Sequence, residues 1–261
     1  MESCACGIDV GSMSTEAVLV DGSGGLAFWV EVPTRPNHRE TAAGVFEQLL
    51  QKSGLEAGRI GIVVGTGYGR RNIPFADRQL TEISCHARGA AACFPGVRML
   101  IDIGGQDSKV IHVDDEGRVL DFAMNDKCAA GTGKFLNVMA QTLHLELPEL
   151  GNCALEAGQG TEISSICTVF AESEVISLIA AGSPVPEIAL GVHQAMARRV
   201  ISMVKKLGLK TPLAFTGGVA RNPGMVKSLE EGLGVELMVP DNPQVVGAYG
   251  AALLGMEMII P

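Results

Sequence analysis

Aromatic residues are scarce: one Trp, two Tyr and eight Phe make up 4% of 261 residues. A core built from this chain is therefore aliphatic. Positive charge is also in short supply. Twenty Lys and Arg stand against 29 Asp and Glu, a formal net charge of −9, which argues against a nucleic-acid binder held by phosphate contacts. No window reaches the roughly 18 consecutive apolar residues of a membrane span. No basic segment precedes the first apolar stretch, and Asp9 interrupts it, so no secretory signal is read. The expectation is a soluble cytoplasmic protein with neither a membrane nor a nucleic-acid partner. Paired cysteine motifs are absent too. The seven cysteines (4, 6, 85, 93, 128, 153 and 167) include no CxxC, and an odd count without a signal does not make a disulfide framework. Cys4, Cys6, Cys85, Cys93 and Cys153 read as small buried hydrophobes. What is present is 47% hydrophobic residues and 33 Gly, a packed core with many turns, in a length that admits two domains.

The apolar patterning predicts three short strands, Cys6–Val10, Glu16–Val20 and Leu26–Val32, separated by Gly- and Ser-containing turns. A helix over Glu40–Lys52, a strand over Ile60–Gly65 and a helix over Leu80–Ala92 follow. The pattern then begins again with strands at Met99–Ile103, Ser108–Val113 and Val119–Met124. Helices are expected over Thr132–Leu143, Val169–Ala181 and Pro186–Leu207. A strand at Leu213–Thr216, a helix at Pro223–Leu233, a strand at Val235–Val239 and a helix at Val245–Met256 close the chain. The predicted division is residues 1–97 and 98–261, the last helix packing back on the first lobe.

The second beginning is an internal repeat. Shifted by 101 − 8 = 93 positions, Ile8-Asp9-Val10-Gly11-Ser12 falls on Ile101-Asp102-Ile103-Gly104-Gly105, and Thr15, Val20 and Asp21 fall on Ser108, Val113 and Asp114. Each copy is an apolar strand ending in Asp-x-Gly, a tight turn and a second apolar strand. Glycine lets the backbone N–H groups of such a turn approach an anion closely. Ser and Thr add hydroxyl donors, and an Asp at the strand end suits hydrated Mg2+. One such turn is ordinary hairpin punctuation; two in register point to phosphate. A third element, Phe215-Thr216-Gly217-Gly218-Val219-Ala220-Arg221-Asn222-Pro223, reads as strand, Gly-Gly turn and helix, with Asn222 as N-cap and Pro223 at the first helical position. By itself it is a common strand-to-helix turn. With the other two it describes a nucleotide clamped between two duplicated α/β lobes. Two apparent motifs fail: Gly131-Thr132-Gly133-Lys134 lacks the first Gly and the final Ser/Thr of a P-loop, and Gly65-Thr66-Gly67-Tyr68-Gly69 lacks the spacing of a dinucleotide fingerprint.

These turns resemble those of the actin, sugar kinase and Hsp70 superfamily, whose fold is a pair of ribonuclease H-like α/β lobes with a nucleotide cleft between them. Three stretches narrow the resemblance: residues 101–109 (IDIGGQDSK), 125–133 (NDKCAAGTG) and 167–175 (CTVFAESEV). They are similar to the activators of 2-hydroxyacyl-CoA dehydratases and to the related ATPase subunits of benzoyl-CoA reductases. The likeness runs from about Gly7 to about Leu254. It implies an oxygen-sensitive homodimer that shares one 4Fe-4S cluster, takes an electron from a ferredoxin- or flavodoxin-type donor, and hydrolyses ATP to pass it to a dehydratase or reductase component. A benzoyl-CoA reductase-like ATPase subunit and a small-molecule kinase of the same superfamily are the alternatives. By motif position Cys128 and Cys167 are the cluster ligands.

The residues by themselves say less. Cys128 and Cys167 lie 167 − 128 = 39 positions apart in polar or Gly-rich segments, each ahead of a predicted helix whose N-terminal N–H groups favour a thiolate. A helix-leading Cys is more often structural than a ligand, so both readings stay open on this ground. For the nucleotide, the roles expected are as follows. Asp9 and Asp102 position Mg2+ through water. Gly11, Ser12, Ser14 and Thr15 wrap one part of the triphosphate; Gly104, Gly105, Gln106 and Asp107 wrap another. Gln106 or Asp107 orients the attacking water. Gly217, Gly218, Ala220 and Asn222 line the adenosine side of ATP or ADP, and Gln244 reaches the base. Glu172 and Glu174 favour the positive end of the helix after Cys167, and His193 reads as a solvent or core histidine. Glu16 departs from the family, where many relatives carry Lys, and residues 35–58 match it poorly.

Overall fold

The computed structural model describes residues 4–164 and 167–259. Strands β1 (Cys4–Val10), β2 (Ser14–Val20) and β3 (Leu26–Pro33) form an antiparallel meander. After helix α1 (His38–Ser53), strand β4 (Ile60–Thr66) adds in parallel to β1, and the two-residue β5 (Arg78–Gln79) adds to β4. The sheet order is β3-β2-β1-β4-β5. Helix α2 (Glu82–Cys93) follows. β1 and β2 are buried on both faces, as strands covered on two sides must be. Asn37 and Thr81 cap α1 and α2 through side-chain oxygens that accept from Glu40 and Ser84 N–H groups.

The second sheet repeats this plan. Its meander is β6 (Met99–Ile103), β7 (Ser108–Val113) and β8 (Val119–Asn125). Four helices come next: α3 (Gly133–Thr142), α4 (Leu147–Leu155), α5 (Thr168–Ala180) and α6 (Val185–Leu207). Then come β9 (Leu213–Thr216), α7 (Pro223–Leu233), β10 (Leu237–Met238), parallel to β9, and α8 (Val246–Ile259). The order is β10-β9-β6-β7-β8. Counted from its own first strand, each sheet runs 3-2-1-4-5, and Asp9 and Asp102 each stand one residue before the end of the central strand.

The chain divides into two compact units. One comprises Met1–Leu100, Val113–Leu120 and Pro240–Pro261; the other comprises Ile101–His112 and Asp121–Val239. Helix α8 belongs to the first unit, where Ala248, Ala251, Ala252, Leu253 and Met256 pack with Ala5, Val18, Val20, Ile62 and Val64 in an aliphatic core. No helix of the described residues is long and apolar enough to cross a membrane.

The structure adds to the predicted elements at two places and trims one. Helix α4 was not expected. It starts after Glu146, whose N–H donates to the Glu149 carboxylate at 2.9 Å, with Pro148 in its first turn. Its start signal is a Glu where the usual cap residues are Ser, Thr, Asp or Asn. Strand β5 is two exposed polar residues with no apolar pattern to read. The strand expected over 235–239 shortens to β10.

Candidate functional site

In the first unit β1 delivers Asp9 to its end, 7% exposed, and β2 leaves the turn with Ser14 and Thr15. Gly11 and Ser12 are half-buried in that turn; a Cβ on Gly11 would come within 2.7 Å of the Ser14 carbonyl. Thr15 is fully buried, and its hydroxyl pairs with Thr34 Oγ1 at 2.8 Å, while Thr34 donates to the Gly11 carbonyl at 2.9 Å. The Thr15 side chain therefore braces the turn. Gln244 also stands here: its amide donates to Ser14 Oγ and, at 2.9 Å, to Glu16 Oε1. Glu16 is 2% exposed and lies opposite Asp9 on the paired strand. Burial, then the charge of Asp9, holds its carboxyl well above the ordinary glutamate range, against the lowering effect of Ser14 and Gln244.

Three residues not expected from the sequence surround Asp9. His86 Nε2 is 3.8 Å from Asp9 Oδ2. Gly247, in the first turn of α8, and Gly67 both press against the carboxylate, and a Cβ on either would overlap it. Gly67 has φ +84° and follows Thr66, the last residue of β4.

The second unit repeats the buried aspartate and the glycine turn behind it. Asp102 is 2% exposed at the end of β6. Its Oδ2 accepts from Lys109 Nζ at 3.2 Å and its Oδ1 from Thr216 Oγ1 at 3.1 Å. Asp107 Oδ1 accepts from the same ammonium at 2.8 Å, and Gln106 between them is exposed. Gly217 has φ +85°, follows Thr216 at the end of β9, and a Cβ there would sit 2.8 Å from Asp102 Oδ1. Thr66-Gly67 and Thr216-Gly217 are thus the same device, a left-handed glycine that lets the turn after the fourth strand back onto the aspartate. Gly218 is half-buried and Ala220 is 4% exposed. Asn222 caps α7 through Oδ1, which accepts from Met225 N–H at 3.0 Å, and that oxygen also meets His193 Nε2 at 3.0 Å. His193 is a core residue of α6, and burial lowers its pKa.

The Cys128 segment leads into the second turn. Cys128 is half-buried and in an extended conformation. Its carbonyl accepts from Asn125 Nδ2 at 2.8 Å, and its Sγ from Arg199 Nη2 at 3.1 Å. Five residues on, α3 begins directly on the second turn: Gly133 and Lys134 N–H groups donate to the Gly104 and Gly105 carbonyls, both at 2.9 Å. Gly133 has no room for a Cβ without crowding the Gly104 carbonyl and Val219. Gly104 N–H in turn donates to the Asp107 carbonyl at 3.0 Å. Cys167 is half-buried at the N-cap of α5, its carbonyl accepting from Ala171 N–H at 3.0 Å. Glu174 accepts from Ser164 N–H, and Glu172 from Thr142 Oγ1 at 3.5 Å. Elsewhere burial pushes the thiols of Cys6, Cys93 and Cys153 up, and Cys85 up to about 12. Those four remain thiols at neutral pH. Among the described residues no three His, Cys, Asp or Glu side chains converge as for a metal ion.

Two 3-2-1-4-5 sheets, each ending its central strand in a buried Asp backed by a Thr-Gly turn, define an ATPase of the actin, sugar kinase and Hsp70 type. The chain belongs to the BadF/BadG/BcrA/BcrD ATPase family, whose model matches residues 6–255. It is 45% identical over 253 residues to the activator of lactoyl-CoA dehydratase from Anaerotignum propionicum, covering 96% of each chain. The solved activator of the 2-hydroxyisocaproyl-CoA dehydratase from Clostridium difficile, with bound ADPNP, superposes with a TM-score of 0.92 at 42% identity, over 99% of this chain and 95% of that one. Component A of the Acidaminococcus fermentans (R)-2-hydroxyglutaryl-CoA dehydratase superposes with a TM-score of 0.95 at 40% identity, over 98% of both.

Proposed function

We propose that this chain is an ATP-dependent one-electron donor that activates a 2-hydroxyacyl-CoA dehydratase, and that its two units are the two ATPase lobes. The observation that carries the reading is the seat of α3. The helix that follows Cys128 hydrogen-bonds the Gly104-Gly105 turn through its first two N–H groups. A change of phosphate state at that turn is therefore felt by the cysteine segment through two backbone hydrogen bonds.

Asp9, Gly11, Ser12 and Ser14 on one turn, and Asp102, Gly104, Gly105 and Asp107 on the other, bind the phosphates. Asp9 and Asp102 hold Mg2+ through water. Gln106, exposed beside the second turn, orients the attacking water. Gly217 and Gly218 supply backbone for the adenosine side. Gln244, tied to Ser14 and Glu16, steadies the first turn. Cys167 is a free cysteine at the N-cap of α5 and Cys128 a free cysteine five residues ahead of α3, whose sulfur receives a guanidinium N–H, a donor set that fits an anionic iron–sulfur group. One chain offers two of the four thiolates a 4Fe-4S cluster needs, so two copies share it across a two-fold axis. When bound, such a cluster supplies storage for a single electron. That electron comes from a ferredoxin- or flavodoxin-type donor and leaves to the dehydratase, while ATP and water become ADP and phosphate.

The test is anaerobic reconstitution. About four irons per two chains are expected. Cys128→Ser and Cys167→Ser should each lose the iron and keep the circular dichroism of the parent. Far fewer irons in the parent overturn the reading. So does ATP consumption that rises with an added sugar or carboxylate and ignores both cysteines, which is the behaviour of a small-molecule kinase.

A further inference from the structure

Helix α6 carries two adjacent arginines, and each holds one cysteine segment. Arg198 Nη2 donates to the Ile163 carbonyl at 2.7 Å, four residues before Cys167. Arg199 Nη2 donates to Cys128 Sγ itself at 3.1 Å. The approach of Arg199 is built into the fold. Gly131 lies along its stem, where a Cβ would come within 3.4 Å of Arg199 Cδ, and Asn125 fixes the Cys128 carbonyl from the other side. The helix is buried along its length at Ile188, Val192, Ala195, Met196, Val200 and Val204, so the guanidinium is presented from a rigid element.

A guanidinium stays charged at every working pH and only donates. A neutral thiol gains little from such a neighbour, and the cysteines that act as core residues, Cys6 and Cys85, sit among apolar side chains instead. An anionic sulfur gains a charge-assisted hydrogen bond. Resting on the function proposed above, we propose that Arg199 is a positioning residue for the metal centre: it fixes the Cys128 sulfur for coordination and, as a permanent positive charge next to that sulfur, favours the electron-loaded state. Hydrogen bonds to ligand sulfurs and nearby charge are established determinants of cluster potential, and the extra electron makes the centre one unit more negative. Arg199 therefore stabilises the reduced form more than the oxidised one.

The experiment compares the parent with Arg199→Met, which keeps the stem and removes the charge, and Arg199→Lys, which keeps the charge and loses the planar fork. Each is reconstituted without oxygen, its iron counted, and its spectrum followed in a redox titration. With iron content held, R199M is expected to lower the reduced-to-oxidised ratio about tenfold at the parental midpoint, the order of one charged hydrogen bond. R199K should restore most of it. A parental ratio in iron-loaded R199M overturns the proposal. Should R199M take up no iron, assembly decides: with the parent's circular dichroism retained, R199K is expected to take up the parental amount of iron, because the charge that holds the Cys128 sulfur is still there. Equal loss of iron in R199K and R199M overturns the proposal. A parent chain that binds no iron defeats the function proposed above, and the parental iron count tells the two failures apart.

Discussion

In the first unit the strand leaving the turn sets Glu16 opposite Asp9; in the second, the same step of the repeat, 16 + 93 = 109, sets Lys109 against Asp102. Backbone plan, burial and the backing Thr-Gly turn are shared. Charge is not. The second turn carries its own cation, shared between Asp102 and Asp107, so its acids are compensated from within. The first turn stacks a second carboxyl beside the first, and burial together with the charge of Asp9 raises the Glu16 pKa, with Gln244 and Ser14 around it. A duplicated fold can thus keep a phosphate-turn backbone while exchanging how the acid at its strand end is balanced. A Lys at position 16 would make the two turns alike; with Glu16 they differ.

The comparison predicts where a charge change hurts most. Lys109→Met should be the most destructive single change, because it strands Asp102, 2% exposed, without its ammonium. Breaking one partner of a buried pair costs about 3–5 kcal/mol, read as a drop in the urea midpoint. Restoring balance with Lys109→Met and Asp102→Asn together should recover a large part of that loss. If Lys109→Met alone leaves the midpoint in place, the second turn is not held by its internal cation and the contrast between the turns fails.

Next in size are the paired glycines. Gly67→Ala and Gly217→Ala each force a Cβ into a left-handed conformation, at φ +84° and +85°, and toward the aspartate the turn backs onto. A positive φ of this kind alone costs a residue with a Cβ about 1–3 kcal/mol, and the displaced carboxylate should lower ATP turnover in both variants. Turnover and urea midpoints measured side by side check the equivalence. A silent Gly67→Ala beside a crippled Gly217→Ala would break it.

How much of this was legible beforehand follows from the same residues. The ungapped shift of 93 registers the meanders because no insertion separates their three strands, so Asp9 and Asp102 align. The Thr-Gly turns do not register, being 216 − 66 = 150 positions apart. One helix, α1, links meander to fourth strand in the first unit, whereas α3 to α6 do so in the second. Without that register Gly65–Gly69 reads as a failed dinucleotide motif. The segment dismissed as a broken P-loop, Gly131–Lys134, proves to be the seat of α3 on the second turn. His86, His193 and Arg199 reach Asp9, Asn222 and Cys128 from 77, 29 and 71 positions away. Such pairings depend on helix placement against the sheet and leave no local pattern. The bonds from Gln244 to Ser14 and Glu16 leave no local pattern for the same reason.

The subtlest consequence at any one pH concerns Glu16. A carboxyl whose folded pKa is raised binds its proton more tightly in the native state than in the unfolded chain. Its contribution to stability is complete below the ordinary glutamate value of 4.5 and is lost as pH rises through the raised folded value. The unfolding free energy should therefore decline with rising pH between 4.5 and the raised folded value, by at most about 1.4 kcal/mol per pH unit from this group, and level off above it. Glu16→Gln removes the titration, and Gln244 can turn its amide to accept instead of donate, so the variant should lose the decline and become the more stable protein at the alkaline end. Glu16→Lys sharpens the contrast by giving the first turn the second turn's cation. Urea midpoints from pH 5 to pH 8.5 decide the matter: parallel curves for the parent and Glu16→Gln mean that the Glu16 carboxyl is not raised in the fold, and that a raised carboxyl is not how the first turn accommodates its second acid.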